Sequence, residues 1–307
     1  MPHQTRVASV LLASLINKRI KIMKTSSISF CLSFCAFLMS GLFVAQAKDS
    51  NIDSDTSSDT NLSASISSVT YLGNEGILFS DGKQKVLFDP FFHNVYGQYQ
   101  AVPEDIQQAI LSNTPPYDDI DLILISHAHG DHFTAETVAQ YLSANKTVSL
   151  VGPTQATDKV LEVDAGLKQQ LVGIELEFGD EPITTKLNDI TIASVRIPHA
   201  GWPSRKEISN LVHRVSLSNK VSIIHMGDAD PRDQHFAPFA SHWSAQTSDA
   251  AFPPYWFFIS PEGPAILKDR INAKQSVGIH VPVEVPENLK ASGAAYFSKP
   301  GSKIDLP

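Results

Sequence analysis

Cysteine is nearly absent: the chain of 307 residues has only Cys31 and Cys35, and both precede Ala45. A body without cysteine forms no disulfide and offers no thiolate, so any metal in it must be held by histidine and carboxylate. Basic charge is also scarce. Twenty-four Lys and Arg against 32 Asp and Glu leave a net charge of -8, which argues against a nucleic-acid partner, since such proteins normally carry a basic face. Long runs of like charge are missing as well. What the chain does have is 42% hydrophobic residues, enough core for one large globular domain or two small ones.

The amino end reads as an export signal. Lys18, Arg19, Lys21 and Lys24 precede an apolar run from Ile28 to Val44, and Ala45-Gln46-Ala47 supplies small residues where a signal peptidase cuts. Met23 opens a more ordinary signal than Met1 does, which points to translation from Met23. The apolar run is about 17 residues long against the roughly 20 of a spanning helix, so cleavage before Lys48 is favoured over a retained anchor. Region 1–47 is therefore expected to be removed, leaving a periplasmic or secreted protein with no stable membrane anchor. Residues 48–65 are rich in Ser, Asp, Thr and Asn and almost free of apolar side chains, as expected of a flexible tether. One domain is expected over 66–307.

Within it, Val69–Leu72, Ile77–Phe79 and Lys85–Phe88 are short β-type runs separated by Gly73-Asn74-Glu75-Gly76 and Asp81-Gly82, the spacing of an antiparallel meander. Asp121–Ser126 is a continuous apolar run, as in a strand buried on both faces. Helices are predicted over Thr134–Leu142, Gln155–Val163 and Pro264–Asn272. Further strands are predicted over Thr147–Val151, Ile190–Ile197, Leu211–Leu217, Val221–Met226 and Ser276–His280. Such a mixture is an α/β or α+β class with helices covering sheets.

The chemistry concentrates directly after the buried run, in Ser126-His127-Ala128-His129-Gly130-Asp131-His132. His127 and His129 are two apart, so extended backbone points both to one side. Gly130 is expected to permit a sharp turn, after which Asp131 and His132 face a neighbouring point. Four ligand-type residues in six positions at a strand end are a strong metal signal.

This His-x-His-x-Asp-His motif resembles the signature of the metallo-β-lactamase superfamily. The resemblance implies a four-layer αβ/βα sandwich with metals at one sheet edge. It also requires partners elsewhere in the chain, and these occur in order: an early Asp89 in Leu87-Phe88-Asp89-Pro90, then, beyond the motif, His199 in Ile197-Pro198-His199, Asp228 in Gly227-Asp228 and His280 in Gly278-Ile279-His280. Carried over, it implies that His127, His129 and His199 bind one metal, that Asp131, His132 and His280 bind a second, and that Asp228 bridges them. Asp89 would orient the cluster without binding metal.

A set of imidazoles and carboxylates suits two zinc ions, with manganese or iron as alternatives. A hydroxide shared between the ions would attack a carbonyl or phosphorus, with Asp131 or a second histidine as proton relay. The implied activity is hydrolysis of an ester, lactone or phosphodiester in a small-molecule or lipid-like substrate. Aspartate at 228, where the best-known zinc β-lactamases carry cysteine, disfavours antibiotic degradation. An iron-dependent oxidoreductase, similar to persulfide dioxygenases, is the alternative. The segment Val69–Ile77 and the later Phe88-Asp89-Pro90 look similar to the branch containing a lactonase of ascorbate phosphate and the N-acyl-phosphatidylethanolamine phospholipase.

Other residues carry weaker expectations. His225 reads as a buried structural histidine and His213 as incidental. Trp202 reads as a pocket wall or as core, His93 as a wall or an ordinary loop residue, the irregular stretch Asp230–Pro254 as a substrate lid or packed surface, and Phe252–Phe258 as a buried strand or edge packing in preference to a lipid-binding patch.

Overall fold

The short β-type runs after Ile66 pair as their turn signals predict. The computed structural model describes residues 66–307. The signal-type segment 1–47, with Met23, Cys31 and Cys35, and the tether 48–65 lie outside the described residues. Strands β1 (Ser68–Gly73), β2 (Gly76–Ser80) and β3 (Lys85–Phe88) form the antiparallel meander. Strands β4 (Leu122–Leu124), β5 (Ser149–Pro153) and β6 (Leu171–Ile174) then add in parallel. Their crossovers carry helices α1 (Glu104–Leu111), α2 (Ala135–Ala144) and α3 (Thr154–Val163). Every residue of β4 is buried, as its unbroken apolar run requires of a strand covered on both faces.

A second sheet holds β7 (Ile183–Leu187), β8 (Ile190–Arg196), β9 (Leu211–Ser216), β10 (Ser222–His225) and β11 (Ala250–Phe252) in the order β11-β10-β9-β8-β7. Helices α4 (Ala240–Ser244), α5 (Gly263–Asp269) and α6 (Glu287–Ser292) follow in the chain. The final strand β12 (Lys303–Asp305) returns to pair with β1, giving the first sheet the order β12-β1-β2-β3-β4-β5-β6.

The period-2 alternation of these strands sorts their side chains into layers. Val86, Phe88, Leu122 and Leu124 join Ile192, Leu211, Val215 and Ile223 in a core between the sheets. Leu87, Ile123 and Ile125 face the other way, onto Ile110, Val138, Leu142 and Val160 of α1 to α3. On the far side, Val195, Val212 and Ile224 pack under Trp243, Phe257, Ile266 and Leu267. The result is helix, sheet, sheet, helix: the expected αβ/βα sandwich. Among the described residues, no helix is long and apolar enough to cross a membrane.

Several local expectations fail for identifiable reasons. Ser276–His280 is not a strand; it makes only single bridges, Ala251 to Ser276, Pro254 to Ile279 and Gly278 to Tyr296, because it runs beside the end of β11 and soon turns away. The stretch Asp230–Pro254 contributes no residue to the lining of the cleft that holds His129, Asp131, Asp228 and His280. Phe236, Phe239 and Trp243 are buried in the outer core, so its aromatic content reflects packing. Phe252–Phe258 ends one strand and then winds into a 3-10 turn over Tyr255–Phe258. Helix α1 was not anticipated.

His213 is structural rather than incidental. It is fully buried on β9, with its ring nitrogens on Ser194 Oγ at 2.8 Å and the carbonyl of Ile125 at 3.2 Å. Burial pushes its pKa down to about 4. The unfolded chain therefore binds a proton here that the fold excludes, so this site's stabilisation is complete above about pH 6.5 and fades as pH falls toward 4. Denaturant titrations at pH 7 and pH 5 should show the wild type losing about 2 kcal/mol more than His213→Gln does. An equal loss in both proteins would refute this assignment.

Candidate metal centre

Strand ends and one turn build the site. Asp89 follows β3, the 126–132 loop follows β4, His199 lies just beyond β8 and Asp228 just beyond β10. Asn74 and Glu75 form the β1–β2 turn, and His280 reaches the same place from the segment after α5. Tertiary hydrogen bonds fix these approaches: the His280 amide donates to the Asn74 carbonyl (2.9 Å), and the Ala200 amide to that of Asp228 (2.7 Å). Gly227 is needed at the Asp228 turn. Its φ is +52°, and a Cβ there would stand 2.4 Å from Asn210 Oδ1 and 2.7 Å from Ser126 Cβ. Gly130 does not serve as expected: it is not among the glycines with positive φ, and its role is to let Asn94 approach, 3.3 Å from where a Cβ would sit.

The structure brings all seven sequence-predicted ligand residues together, in two groups. In the first, His129 Nδ1 lies 3.1 Å from both His127 Nε2 and His199 Nε2, and Asp228 Oδ2 lies 3.1 Å from His199 Nε2 and 3.9 Å from His127 Nε2. In the second, Asp131 Oδ2 is 3.4 Å from His280 Nε2 and 3.7 Å from His132 Nε2. The other Asp228 oxygen, Oδ1, points to this second group, 3.2 Å from His280 Nε2 and 3.4 Å from His132 Nε2. Donors around one tetrahedral ion at about 2.0–2.2 Å stand roughly 3.3–3.6 Å apart, close to these separations. One carboxylate thus offers an oxygen to each group.

Buried polar atoms test the fit. His132 Nε2, Asp228 Oδ1 and His280 Nε2 are buried without a hydrogen-bond partner and face the same small space. Orphaned groups of this kind are costly unless something satisfies them, and a cation does so for an imidazole nitrogen and a carboxylate oxygen alike. The donor set fits a pair of divalent ions.

The electrostatics agree. Burial, then His132 and the other imidazoles, holds His127 well below the usual histidine range. Burial and His199 bring His129 down to about 4. Both are neutral at pH 7, the form that binds metal. Burial alone would raise the Asp228 carboxyl, but His280 and His132 outweigh it and keep it ionised. Asp131 is likewise lowered: burial opposes ionisation, and His280 and His132 overcome it.

Asp89 stands behind the cluster. Its Oδ1 accepts the Ser126 amide at 2.8 Å, and its Oδ2 lies 2.9 Å from His132 Nδ1. A carboxylate on the rear nitrogen fixes the ring so that Nε2 faces the ligand space.

Asn74 and Glu75 were read only as turn residues, yet Asn74 Nδ2 donates to the Asp131 carbonyl at 2.9 Å and lies 3.5 Å from Asp131 Oδ2. Glu75 is fully buried, 3.7 Å from His132 Nδ1 and 3.8 Å from His225 Nε2. His225 is buried as expected and bonds the Glu75 carbonyl at 2.9 Å. His93 bonds Thr137 Oγ1 at 2.8 Å and belongs to neither ligand group. Trp202 sits in an aromatic cluster with Phe178 and His235, while Trp256, not singled out in the sequence, packs edge-on against His280 with ring centroids 5.2 Å apart.

Comparison with known proteins gives a consistent result. Residues 68–241 match the family model for the Beta-lactamase superfamily domain. A metal-dependent hydrolase of Pyrococcus abyssi is 23% identical over 261 residues, covering 78% of this chain and 99% of that protein. One from Pyrococcus horikoshii is 25% identical over 197 residues, 60% of this chain and 76% of that protein. Among solved structures, a metallo-beta-lactamase fold protein from Bacillus subtilis superposes with a TM-score of 0.53 at 16% identity, covering 78% of this chain and 98% of that one. A metallo hydrolase from Ignicoccus hospitalis does so at 0.52 and 16%, with the same coverage of 78% and 98%.

Proposed function

The chain belongs to the beta-lactamase superfamily and is a metal-dependent hydrolase, and from that premise we propose that it cleaves an ester, lactone or phosphodiester bond at a pair of zinc ions. The observation that carries this reading is the division of Asp228, with Oδ2 among His127, His129 and His199 and Oδ1 among His132 and His280. His127, His129 and His199 would hold one ion, Asp131, His132 and His280 the other, and Asp228 both. Such a pair supplies a nucleophile from water at neutral pH and polarises the bond to be broken.

The chain's own residues do the rest. Asp89 keeps the His132 ring turned inward, and Asn74 restrains the backbone of Asp131. Asp131, ionised and partly open to the cleft, can take and return a proton during bond cleavage. Tyr99 lines the same cleft. Burial, with Asp228 and Tyr255 nearby, raises its pKa far enough that the hydroxyl stays protonated and able to donate to a substrate oxygen. A small-molecule or lipid-like substrate and an exported location accord with the cleft and the amino-terminal sequence, and both belong to this proposal.

The test is metal analysis of the purified protein combined with a panel of lactones, thioesters, phosphodiesters and β-lactams. The expected result is about two zinc ions per chain and hydrolysis of a lactone, ester or phosphodiester in preference to β-lactams. One iron per chain, with no hydrolysis of any panel member, would overturn the proposal.

A further inference from the structure

The cleft over the metal centre has a volume of about 380 Å³. Its lip joins two loops. One carries Tyr96, Gln98 and Tyr99, and the other, directly after His199, carries Arg205. Arg205 is the sole Lys or Arg in the cleft lining, and among the described residues its guanidinium has no carboxylate or hydrogen-bond partner. The other arginines in the described residues are all engaged: Arg196 by Leu176 and Glu177, Arg214 by His242 and Trp243, Arg232 by Asp230, and Arg270 by Asp233. The carboxylates of the cleft, Asp131 and Asp228, stand against His199 and His280 at 3.1–3.4 Å and form no ion pair with Arg205.

The loop that presents Arg205 is braced from both ends. Arg232 Nη2 donates to the Trp202 carbonyl at 2.8 Å, and Arg196 Nη2 to the Lys206 carbonyl at 3.0 Å. Within it, the Ser204 amide bonds the Gly201 carbonyl (3.0 Å) and the Ile208 amide the Arg205 carbonyl (3.1 Å). Gly201, at φ +91°, takes a backbone conformation that favours glycine, and the Arg205 Cδ lies 3.4 Å from where a Cβ would be, an ordinary contact. Two arginines hold the loop so that a third stands free above the ligand cluster. An exposed, unpaired guanidinium carried on a braced backbone is placed to receive an anion, and its planar fork matches carboxylate or phosphate geometry.

We propose that Arg205 is a substrate-binding residue that selects substrates bearing a carboxylate or phosphate a few bonds from the scissile group. This rests on the hydrolytic reading above and adds the charge of the substrate to it.

Two matched esters test it: mono-4-nitrophenyl glutarate, an anion, and 4-nitrophenyl valerate, its neutral counterpart of equal chain length. The zinc-loaded wild type should favour the glutarate ester in kcat/KM by about tenfold, the scale of a charge-assisted contact. Arg205→Gln should abolish that preference by raising KM for the glutarate ester more than it changes kcat, and Arg205→Lys should recover part of it. Lys206→Gln removes the same charge one residue away and should keep the preference, as a general electrostatic effect would not.

Titration calorimetry with glutarate and with methyl phosphate reads binding apart from turnover. Arg205→Gln, at unchanged metal content and melting temperature, should weaken at least one of them about tenfold, and the anion more affected identifies the group. If neither anion binds the wild type, or both bind the variant equally well, the proposal is wrong. If the anions bind through Arg205 but neither ester is cleaved, the ester reading fails while the anion site stands.

Discussion

Asp228→Asn should lower turnover by on the order of 10³-fold and reduce the metal bound per chain. Asparagine keeps the shape of aspartate and can keep the backbone turn, where the residue 228 amide bonds Asn210 Oδ1 at 2.9 Å. It replaces one of two carboxylate oxygens with an amide nitrogen, which does not ligate in this way. One of the groups therefore loses its share of residue 228, and several kcal/mol of transition-state stabilisation go with it. Steady-state kinetics on the best substrate from the panel, with metal analysis of the same sample, give the answer. Turnover within tenfold of wild type at full metal content would mean that Asp228 does not join the two groups.

Removing the metals should abolish activity and loosen the fold together. Without a cation, the site leaves the orphaned atoms of His132, Asp228 and His280 buried. It also leaves His132 charged: burial disfavours that state, but Asp228 and Asp89 raise its pKa well above the usual range. Ions bound to the native state alone stabilise it by mass action, about 4 kcal/mol at a thousandfold excess over Kd. For a domain of this size that corresponds to a fall in Tm of roughly 8 to 16 °C on chelation. Calorimetric scans before and after chelator treatment, then after zinc is restored, measure it. An unchanged Tm with undiminished turnover in the stripped protein would leave no role for metal in the site.

Much of the centre was legible from residue order. His127, His129, Asp131 and His132 are neighbours in sequence and therefore in space, whatever surrounds them. Asp89, His199, Asp228 and His280 could be nominated only because each follows an apolar run in an order resembling a known family. Glu75 and Asn74 were hidden because Asn and Gly in a tight turn already have a local explanation. Nothing in the turn signal says that the Asn74 side chain meets Asp131, 57 positions on. Arg205 was equally silent, since an exposed arginine in a polar loop is ordinary until its neighbours are seen to brace the loop.

The sequence by itself determined the strand alternation, the burial of β4, the helices α2, α3 and α5 and the chemical type of the candidate ligands, because these depend on side-chain periodicity and residue identity. Only the tertiary structure decided that the 276–280 segment bends without forming a strand, that β12 closes against β1, and that Asp228 divides its two oxygens between the groups. Those outcomes depend on contacts between residues far apart in the chain, and their energies are set by where the packed sheets bring the strand ends.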